Sequence, residues 1–144
     1  MTQRQEGLYI GDIIQAISHI EIYTKRISQE KFCSQQMVID AVIRNFEIIG
    51  EAAKHISKKT KSQYPEIPWR DMADMRNKVI HEYFGVDIDI VWETIEKSLP
   101  KLKRMLRKLL ENKKAARELL KSIEEADEGK TVSFEKVVGR KQQK

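Results

Sequence analysis

The chain contains little of several residue types that mark common protein classes. Among its 144 residues Cys33 is the single cysteine, and three histidines stand far apart at positions 19, 55 and 81. A lone cysteine excludes an intrachain disulfide and a thiolate metal cage, and these scattered residues make no metal-ligand set. We therefore expect a protein that works without a bound metal or other cofactor.

Long apolar runs and targeting signals are also missing from the sequence. No apolar stretch approaches the roughly 20 residues that a membrane-spanning helix needs. Residues 1–6 lack the pattern of a signal peptide. Together with the scarcity of cysteine, these features predict a cytoplasmic protein.

Positive charge is abundant but unevenly distributed along the chain. Residues 1–100 hold 13 Lys and Arg against 15 Asp and Glu, a balance of −2, whereas residues 101–144 hold 14 against 7, a balance of +7. A basic C-terminal region can attract nucleic acid through phosphate contacts. It is also the pattern of a solvated helix face followed by an irregular tail, and both interpretations stay open here.

Apolar residues recur with helical spacing through most of the chain. The predicted helices cover residues 9–28, 34–57, 69–85 and 90–112. Ser34 is the predicted N-cap of the second helix, and Asp87 or Asp89 that of the fourth. Pro100 predicts a kink or a break in the fourth helix, because proline has no N–H to donate. The sequence therefore predicts an all-α fold, an up-and-down bundle of four to five helices.

The regions outside these helices complete the predicted organisation. Residues 58–68 are polar and end in two prolines, so we expect a linker there. Residues 113–127 extend the fourth helix or form a fifth, and residues 128–131 form a turn. We assign residues 1–112 to the helical bundle and residues 113–144 to a helical or irregular C-terminal extension.

The segment RNKVIHEYFG, from Arg76 to Gly85, concentrates side chains that suit phosphate chemistry. Arg76 can bind a phosphate through two hydrogen bonds, and His81 can take or give a proton near neutral pH. Together they can cut RNA without a metal if the 2′-hydroxyl of the RNA is the nucleophile. The alternative is an ordinary solvated helix surface, since Arg-x4-His is a short pattern that often arises by chance.

Helical geometry constrains this hypothesis. Arg76 and His81 are five residues apart and point about 140° away from each other on a regular helix. Asn77 and His81 share one face, and Arg76 and Tyr83 share another. A phosphate can bridge the two faces if the long Arg76 side chain reaches around the helix, if the helix loosens near Gly85, or if a second subunit contributes. In the last case, a two-fold dimer that pairs this helix with its copy would bring two histidines and two arginines to one cleft. One histidine would then act as the base and the other as the acid.

Three blocks of sequence, in order, carry a resemblance to a known family. They are YIGDII at residues 9–14, DAVIRNFEIIGEAAK at residues 40–54 and IPWRDMADMRNKVIHEYFGVD at residues 67–87. From about Leu8 to Leu110 the chain closely resembles the HepT-like branch of the HEPN superfamily. The resemblance implies a HEPN-like bundle that forms a homodimer. It also implies a metal-independent endoribonuclease that is the toxin of a toxin–antitoxin pair.

The resemblance also implies roles for individual residues. By position, Arg76 and His81 are the catalytic pair, and Asn77 is the polar residue that supports them. Tyr83 matches the tyrosine that the partner, an MntA-like nucleotidyltransferase antitoxin, adenylylates in this family. Nucleotide phosphates placed beside Arg76 would occupy the phosphate site and block RNA.

Glu51 is a further candidate, as a support for the catalytic arginine. It follows Gly50, and a glycine inside a helix indicates close approach by another helix. A plain surface charge explains Glu51 as well. The two tryptophans, Trp69 and Trp92, are predicted core residues, and His19 and His55 are predicted to pack or face solvent.

Two functions stay open on the sequence alone. The first is a ribonuclease toxin; the second is a non-catalytic helical module that binds a nucleotide or nucleic acid, or docks a nucleotidyltransferase. The joint presence of Arg76, Asn77, His81 and Tyr83 favours the first.

The C-terminal extension, residues 113–144, departs from the family, whose members largely end with the fourth helix. Its residues 119–137 resemble the tail segment of ribbon-helix-helix or RelB-type antitoxins, which suggests a docking or self-restraining segment; a solvated helix with a frayed tail is the alternative.

Overall fold

The computed structural model describes the backbone of residues 3–81 and 87–131, and the side chains of residues 5–75 and 87–126. The helical elements are α1 (Gln3–Thr24), α2 (Gln29–Ser34), α3 (Gln36–Lys54), α4 (Lys58–Gln63), α5 (Trp69–His81), α6 (Ile88–Glu93), a π-helical turn (Thr94–Ser98) and α7 (Leu99–Thr131). Within the described backbone no strand occurs, and the predicted all-α class is confirmed.

The chain divides into two units, residues 1–110 and residues 111–144. In the first unit α3 packs against both α1 and α5. Four isoleucines of α1, at positions 10, 13, 17 and 20, are fully buried, as are Val42 and Ile49 of α3. The helical spacing of these residues places them on one stripe of each helix, which explains why the two helices pack face to face. Residues 99–110 of α7 complete this core with four buried leucines.

The first helix begins and ends earlier than its predicted range of residues 9–28. It ends at Thr24 because Arg26 adopts a left-handed backbone conformation with φ of 65°. Such a conformation is incompatible with continued α-helix and often follows a helix C-terminus. The chain then turns, and Ser28 caps α2 by accepting a hydrogen bond from the Lys31 backbone N–H.

The predicted N-cap role of Ser34 is wrong. Ser34 is the last residue of α2, and its hydroxyl donates to the Lys31 carbonyl at 2.9 Å. Gln35 separates α2 from α3 with an extended backbone, so residues 34–57 do not form one helix. The short helix α2 instead buries Phe32, whose ring lies 5.1 Å from the ring of Trp92 in α6. This aromatic pair holds α2 in place, which the local sequence pattern does not reveal.

The predicted linker over residues 58–68 contains a helix, α4, that is stabilised from α1. Ser57 is the N-cap, and its hydroxyl accepts from the Thr60 N–H at 3.2 Å. Glu6 of α1 accepts from the Ser57 backbone N–H at 2.6 Å and from the Thr60 hydroxyl at 2.8 Å. In a capping box the carboxylate comes from the third residue of the same helix. Here the box is completed by a residue 51 positions away, so the prediction missed the helix.

The fourth predicted helix is interrupted just before Pro100, as the sequence predicted. Asp87 is the N-cap of α6 and accepts from the backbone N–H groups of Asp89 and Ile90, which confirms one of the two predicted caps. Ahead of Pro100, the Leu99 N–H bonds to the Thr94 carbonyl, five residues back, which is the π-helical pattern. Proline cannot donate to the carbonyl four residues before it, so the regular ladder is broken at this place.

Beyond the bundle, α7 runs to Thr131. Residues 113–127 therefore extend the fourth helical region, which was one of the two predicted alternatives. The predicted turn at residues 128–131 is wrong, since these residues are helical. In the part of the chain that the structure describes, no helix is long and apolar enough to cross a bilayer.

The contacts of Glu6 generate a prediction about stability. Glu6 is 4% exposed and Thr60 2% exposed. Replacing Glu6 by alanine removes the acceptor of two hydrogen bonds, and we expect the free energy of unfolding to fall by about 1–3 kcal/mol. Urea denaturation followed by circular dichroism measures this change.

The matched control for Glu6→Ala is Glu66→Ala, because Glu66 is exposed in the segment between α4 and α5. We expect this control to change stability by less than about 0.5 kcal/mol. Equal losses for the two variants would contradict the role assigned to Glu6.

Candidate active site

The predicted catalytic motif lies at the C-terminal end of α5. The backbone of Arg76–His81 is α-helical, so positions 76 and 81 are about 140° apart around the helix axis and positions 77 and 81 are one turn apart. The side chains of residues 76–81 lie outside the described residues, and so does Tyr83 with the whole of residues 82–86. The roles of Arg76, Asn77, His81 and Tyr83 therefore stay predictions.

The N-terminal half of α5 is anchored in the core of the first unit. Trp69 and Met72 are buried, and Met75 packs against the same core. The Trp69 ring N–H donates to the Tyr64 carbonyl at 3.0 Å, and the Met72 backbone N–H donates to the Pro68 carbonyl at 3.1 Å. These contacts fix the start and the direction of the helix that carries the motif. They also confirm Trp69 as a core residue.

The chain that follows the motif is anchored as well, at the start of α6. Asp89 accepts a hydrogen bond from the Gln29 side-chain amide at 2.9 Å, and the Cys33 thiol lies 3.9 Å from the same carboxylate oxygen. Trp92 is buried against Phe32, which confirms its predicted place in the core. Both ends of the motif-bearing segment are thus attached to the bundle, at α5 on one side and at α6 on the other.

The structure places Glu51 on the exposed surface of α3. Its carboxylate lies 3.8 Å from the His55 ring nitrogen Nε2, one helical turn away. The Glu51 side chain is 53% exposed. Its role as a support for the catalytic arginine stays a prediction, since the side chain of Arg76 is not among the described ones.

Glu51 and His55 belong to an open groove between α1 and α3. The groove has a volume of about 320 Å³ and is lined by Tyr9, Asp12, Arg44, Glu47, Ile48, Glu51, Ala52 and His55. The ring of Tyr9 stacks on His55 with a centroid distance of 4.5 Å and an angle of 9° between the planes. Arg44 pairs with Glu47 at 3.2 Å. The lining holds three carboxylates, those of Asp12, Glu47 and Glu51, against one arginine, so the groove is acidic.

The two histidines outside the motif, predicted to pack or to face solvent, each stack on a tyrosine while staying partly exposed. His55 stacks on Tyr9, and His19 stacks on Tyr23 with a centroid distance of 6.1 Å. The pairing of His19 with Tyr23, at i and i+4, could have been read from the sequence. The pairing of His55 with Tyr9 could not, because it joins residues 46 positions apart on different helices. Among the residues that the structure describes, no group of three or more His, Cys, Asp or Glu is placed to hold a metal ion.

Sequence comparison identifies the class of protein to which this bundle belongs. The family described as ribonuclease HepT-like matches residues 13–109, which run from the middle of α1 through α6 to the first part of α7. This range is more than half of the chain and includes the whole segment from Arg76 to Gly85. The chain belongs to the HepT-like ribonuclease family, and the predicted enzyme class, an RNA-cleaving endoribonuclease, is confirmed.

Individual relatives support the same assignment. A probable ribonuclease HepT of Thermococcus cleftensis is 48% identical over 107 residues, which cover 74% of this chain and 97% of the relative. A putative RNase of Caldanaerobacter subterraneus is 39% identical over 106 residues, covering 74% of this chain and 95% of the relative.

The name of a third relative combines a putative ribonuclease with a second enzyme activity. A protein of Methanocaldococcus jannaschii named gamma-glutamylcyclotransferase and putative RNase is 41% identical over 104 residues, covering 72% of this chain but 47% of the relative. No solved structure matches the chain.

Proposed function

We propose that this ribonuclease is the toxin of a toxin–antitoxin pair and cuts RNA at a composite site formed by two copies of the chain. The observation that carries the proposal is the placement of Arg76, Asn77 and His81 on the last turns of α5, in a chain of the HepT-like ribonuclease family. The same helix is anchored at its start by Trp69 and Met72. The proposed site of action is RNA in the cytoplasm.

The proposed reaction needs no metal because the RNA supplies its own nucleophile. One His81 removes the proton from a 2′-hydroxyl, whose oxygen then attacks the adjacent phosphorus. The bond from phosphorus to the 5′-oxygen breaks, and a second His81 donates a proton to that leaving oxygen. The products are a 2′,3′-cyclic phosphate and a 5′-hydroxyl. Arg76 stabilises the negative charge that develops on the phosphoryl oxygens. Asn77, the next residue in the chain, supports Arg76 in this role.

The helical backbone supports the idea that two copies share the site. Positions 76 and 81 lie about 140° apart around the axis of α5, so one helix directs them to different sides. A two-fold axis beside α5 would place His81 of one copy near Arg76 and His81 of the other. Such a cleft provides one histidine for each of the two proton transfers.

Tyr83 is the proposed site of control. In the proposed resting state an MntA-like nucleotidyltransferase, acting as the antitoxin, transfers AMP to the Tyr83 hydroxyl. The added phosphate lies two residues from His81 in the sequence, and it would compete with RNA phosphate for Arg76. Adenylylation thereby silences the nuclease without unfolding it.

Glu51 is proposed to act from α3, the helix that packs against α5. A carboxylate in reach of Arg76 would hold the guanidinium in one orientation. The described neighbour of Glu51 is His55, at 3.8 Å. This makes Glu51 a positioning residue in the proposal and leaves the proton transfers to His81.

Substitution of His81 tests the nuclease proposal. We expect His81→Ala to lower the rate of RNA cleavage by at least about 100-fold, which is the usual contribution of a general acid or base. The measurement is the initial rate on a labelled single-stranded RNA, with the product ends identified as cyclic phosphate and 5′-hydroxyl. Circular dichroism of the variant checks that the bundle is intact.

Matched controls come from the same residue types outside the motif. His19→Ala removes a histidine from α1, and Arg70→Ala removes an exposed arginine from the start of α5. Both should keep cleavage within about threefold of the wild type, since surface substitutions away from a site have small effects. Identical digestion by the wild type and His81→Ala would contradict the proposal and favour a non-catalytic module that binds nucleic acid or docks a nucleotidyltransferase.

Substitution of Tyr83 tests the control step separately. Co-expression with an MntA-like nucleotidyltransferase should add the mass of AMP to the wild-type chain and suppress its cleavage of RNA. Tyr83→Phe should gain no AMP and should stay active in the presence of the enzyme. Tyr23→Phe is the control, because Tyr23 is an exposed tyrosine of α1 and should leave AMP transfer unchanged. Intact-mass spectrometry measures the increment, and its absence from the wild type would remove the proposal for Tyr83.

A further inference from the structure

The short helix α4 carries three lysines within four positions. Lys58, Lys59 and Lys61, which we call the α4 lysines, occupy half of its six residues. Lys58 and Lys59 are exposed, and Lys61 is partly buried. In the part of the chain that the structure describes, none of them forms an ion pair, whereas Lys103 of α7 pairs with Glu21 of α1. The positive charge of α4 is therefore open to a ligand.

This positive charge stands out against the charge of the surrounding bundle. Residues 54–65 hold four Lys and no Asp or Glu, a balance of +4, and the other residues up to position 100 hold 9 Lys and Arg against 15 Asp and Glu, a balance of −6. Like charges three residues apart, as at Lys58 and Lys61, destabilise a helix, and an isolated helix of this length is not stable. Glu6 of α1 nevertheless holds α4 in place through two hydrogen bonds. The fold thus maintains a charged helix that its own sequence disfavours.

A groove opens between α4 and the start of α5. Its volume is about 560 Å³, and Lys61 lines it together with the exposed prolines Pro65 and Pro68. The opposite charges of Arg70 and Asp71, which also line it, cancel in the sum, so the net positive charge of the lining equals that of Lys61. An apolar surface beside a cationic edge suits a single strand of RNA, whose phosphates and bases lie on different sides.

We propose that the α4 lysines bind the backbone of the RNA substrate several nucleotides away from the bond that is cut. The proposal rests on the nuclease function proposed above, because it places the cut at the end of α5. Trp69 lines the groove and begins α5, and position 81 lies 12 residues further, about 18 Å along the helix axis. A stacked strand rises about 3.4 Å per nucleotide, so about five nucleotides span this distance.

RNA is the occupant that the chemistry of α4 favours. The chain belongs to a ribonuclease family, so a polyanion of this kind must reach its surface. Lysine carries a compact charge on a flexible stem and binds phosphate without fixed geometry. Contacts of this type hold and orient a strand without reading its sequence. The α4 lysines would therefore give the enzyme a preference for longer RNA, whatever sequence is cut at the motif.

Binding measured without cleavage tests the α4 lysines directly. The full-length His81→Ala chain is titrated onto a labelled single-stranded RNA at several salt concentrations and followed by fluorescence anisotropy. The combined changes Lys58→Gln, Lys59→Gln and Lys61→Gln should weaken binding by at least about tenfold at low salt. They should also reduce the slope of log K against log salt concentration by about 2, since each contact to a single strand contributes about 0.7.

Two triple variants supply matched controls in the same His81→Ala chain. Arginine at all three α4 positions keeps the charges and should keep the affinity within about threefold, because the proposed contacts are to charge and not to shape. Lys108→Gln, Lys114→Gln and Lys121→Gln remove three exposed lysines from α7. This second control should change the slope by less than about 0.7, the contribution of one contact. Circular dichroism checks that each variant is folded.

The length of the RNA tests where the α4 lysines act. In the active chain, the triple change to glutamine should lower kcat/KM about tenfold for an RNA of about 20 nucleotides. Cleavage of a tetranucleotide should stay within about twofold, because its phosphates lie at most about two nucleotides from the cut and cannot reach α4.

Three results would overturn the proposal. Equal changes of slope for the α4 and α7 triple variants would mean that RNA follows the overall charge of the chain. Equal losses of cleavage on long and short RNA would place the lysines at the cleft itself. Unchanged RNA binding, with AMP transfer lost on co-expression, would assign α4 to the nucleotidyltransferase. A wild-type chain that binds RNA through α4 and does not cut it would instead refute the nuclease proposal alone.

Discussion

The burial of α3 between α1 and α5 is the constraint on which the rest of the structure depends. Val42 and Ile49 of α3 are fully buried, and α3 packs on both neighbouring helices. Each fully buried side chain of this kind contributes about 1.5–3 kcal/mol through removal of apolar surface from water. Because α5 is packed on α3 through Met72 and its neighbours, the same core fixes the helix that carries Arg76 and His81.

Helix geometry then limits how the proposed catalytic residues, Arg76 and His81, can act. The backbone at positions 76 and 81 is α-helical, and the angle of about 140° between these positions separates them on one chain. The nuclease proposal therefore depends on a second copy, and the proposed cleft contains two histidines for two proton transfers. In the same proposal, AMP on Tyr83, two residues beyond His81 in the sequence, competes with RNA for the phosphate site.

Local and non-local causes explain which elements could be predicted from the sequence. The helical spacing of apolar residues, the break at Pro100 and a cap at Asp87 or Asp89 are local signals; each was confirmed, with Asp87 as the cap. The helix α4 was missed because Glu6, distant in sequence, completes its cap. The boundary at Ser34 was wrong because α2 is held by the contact of Phe32 with Trp92. For the site, the motif alone predicts the residues, and that prediction awaits the substitutions proposed above. The anchoring of α5 by Trp69 and of the chain after the motif by Asp89 could be seen only in the fold.

The central claim is that the site needs both histidines of a dimer. Subunit mixing tests this claim most directly. Wild-type chains are allowed to exchange subunits with a threefold excess of His81→Ala chains, and RNA cleavage per wild-type chain is recorded. Chains carrying His19→Ala serve as the diluting control, since they supply an intact His81. A shared cleft predicts that cleavage falls to about one quarter, because most wild-type chains are then paired with an inactive copy. Unchanged cleavage per wild-type chain would contradict the shared cleft and show that each chain acts with its own residues.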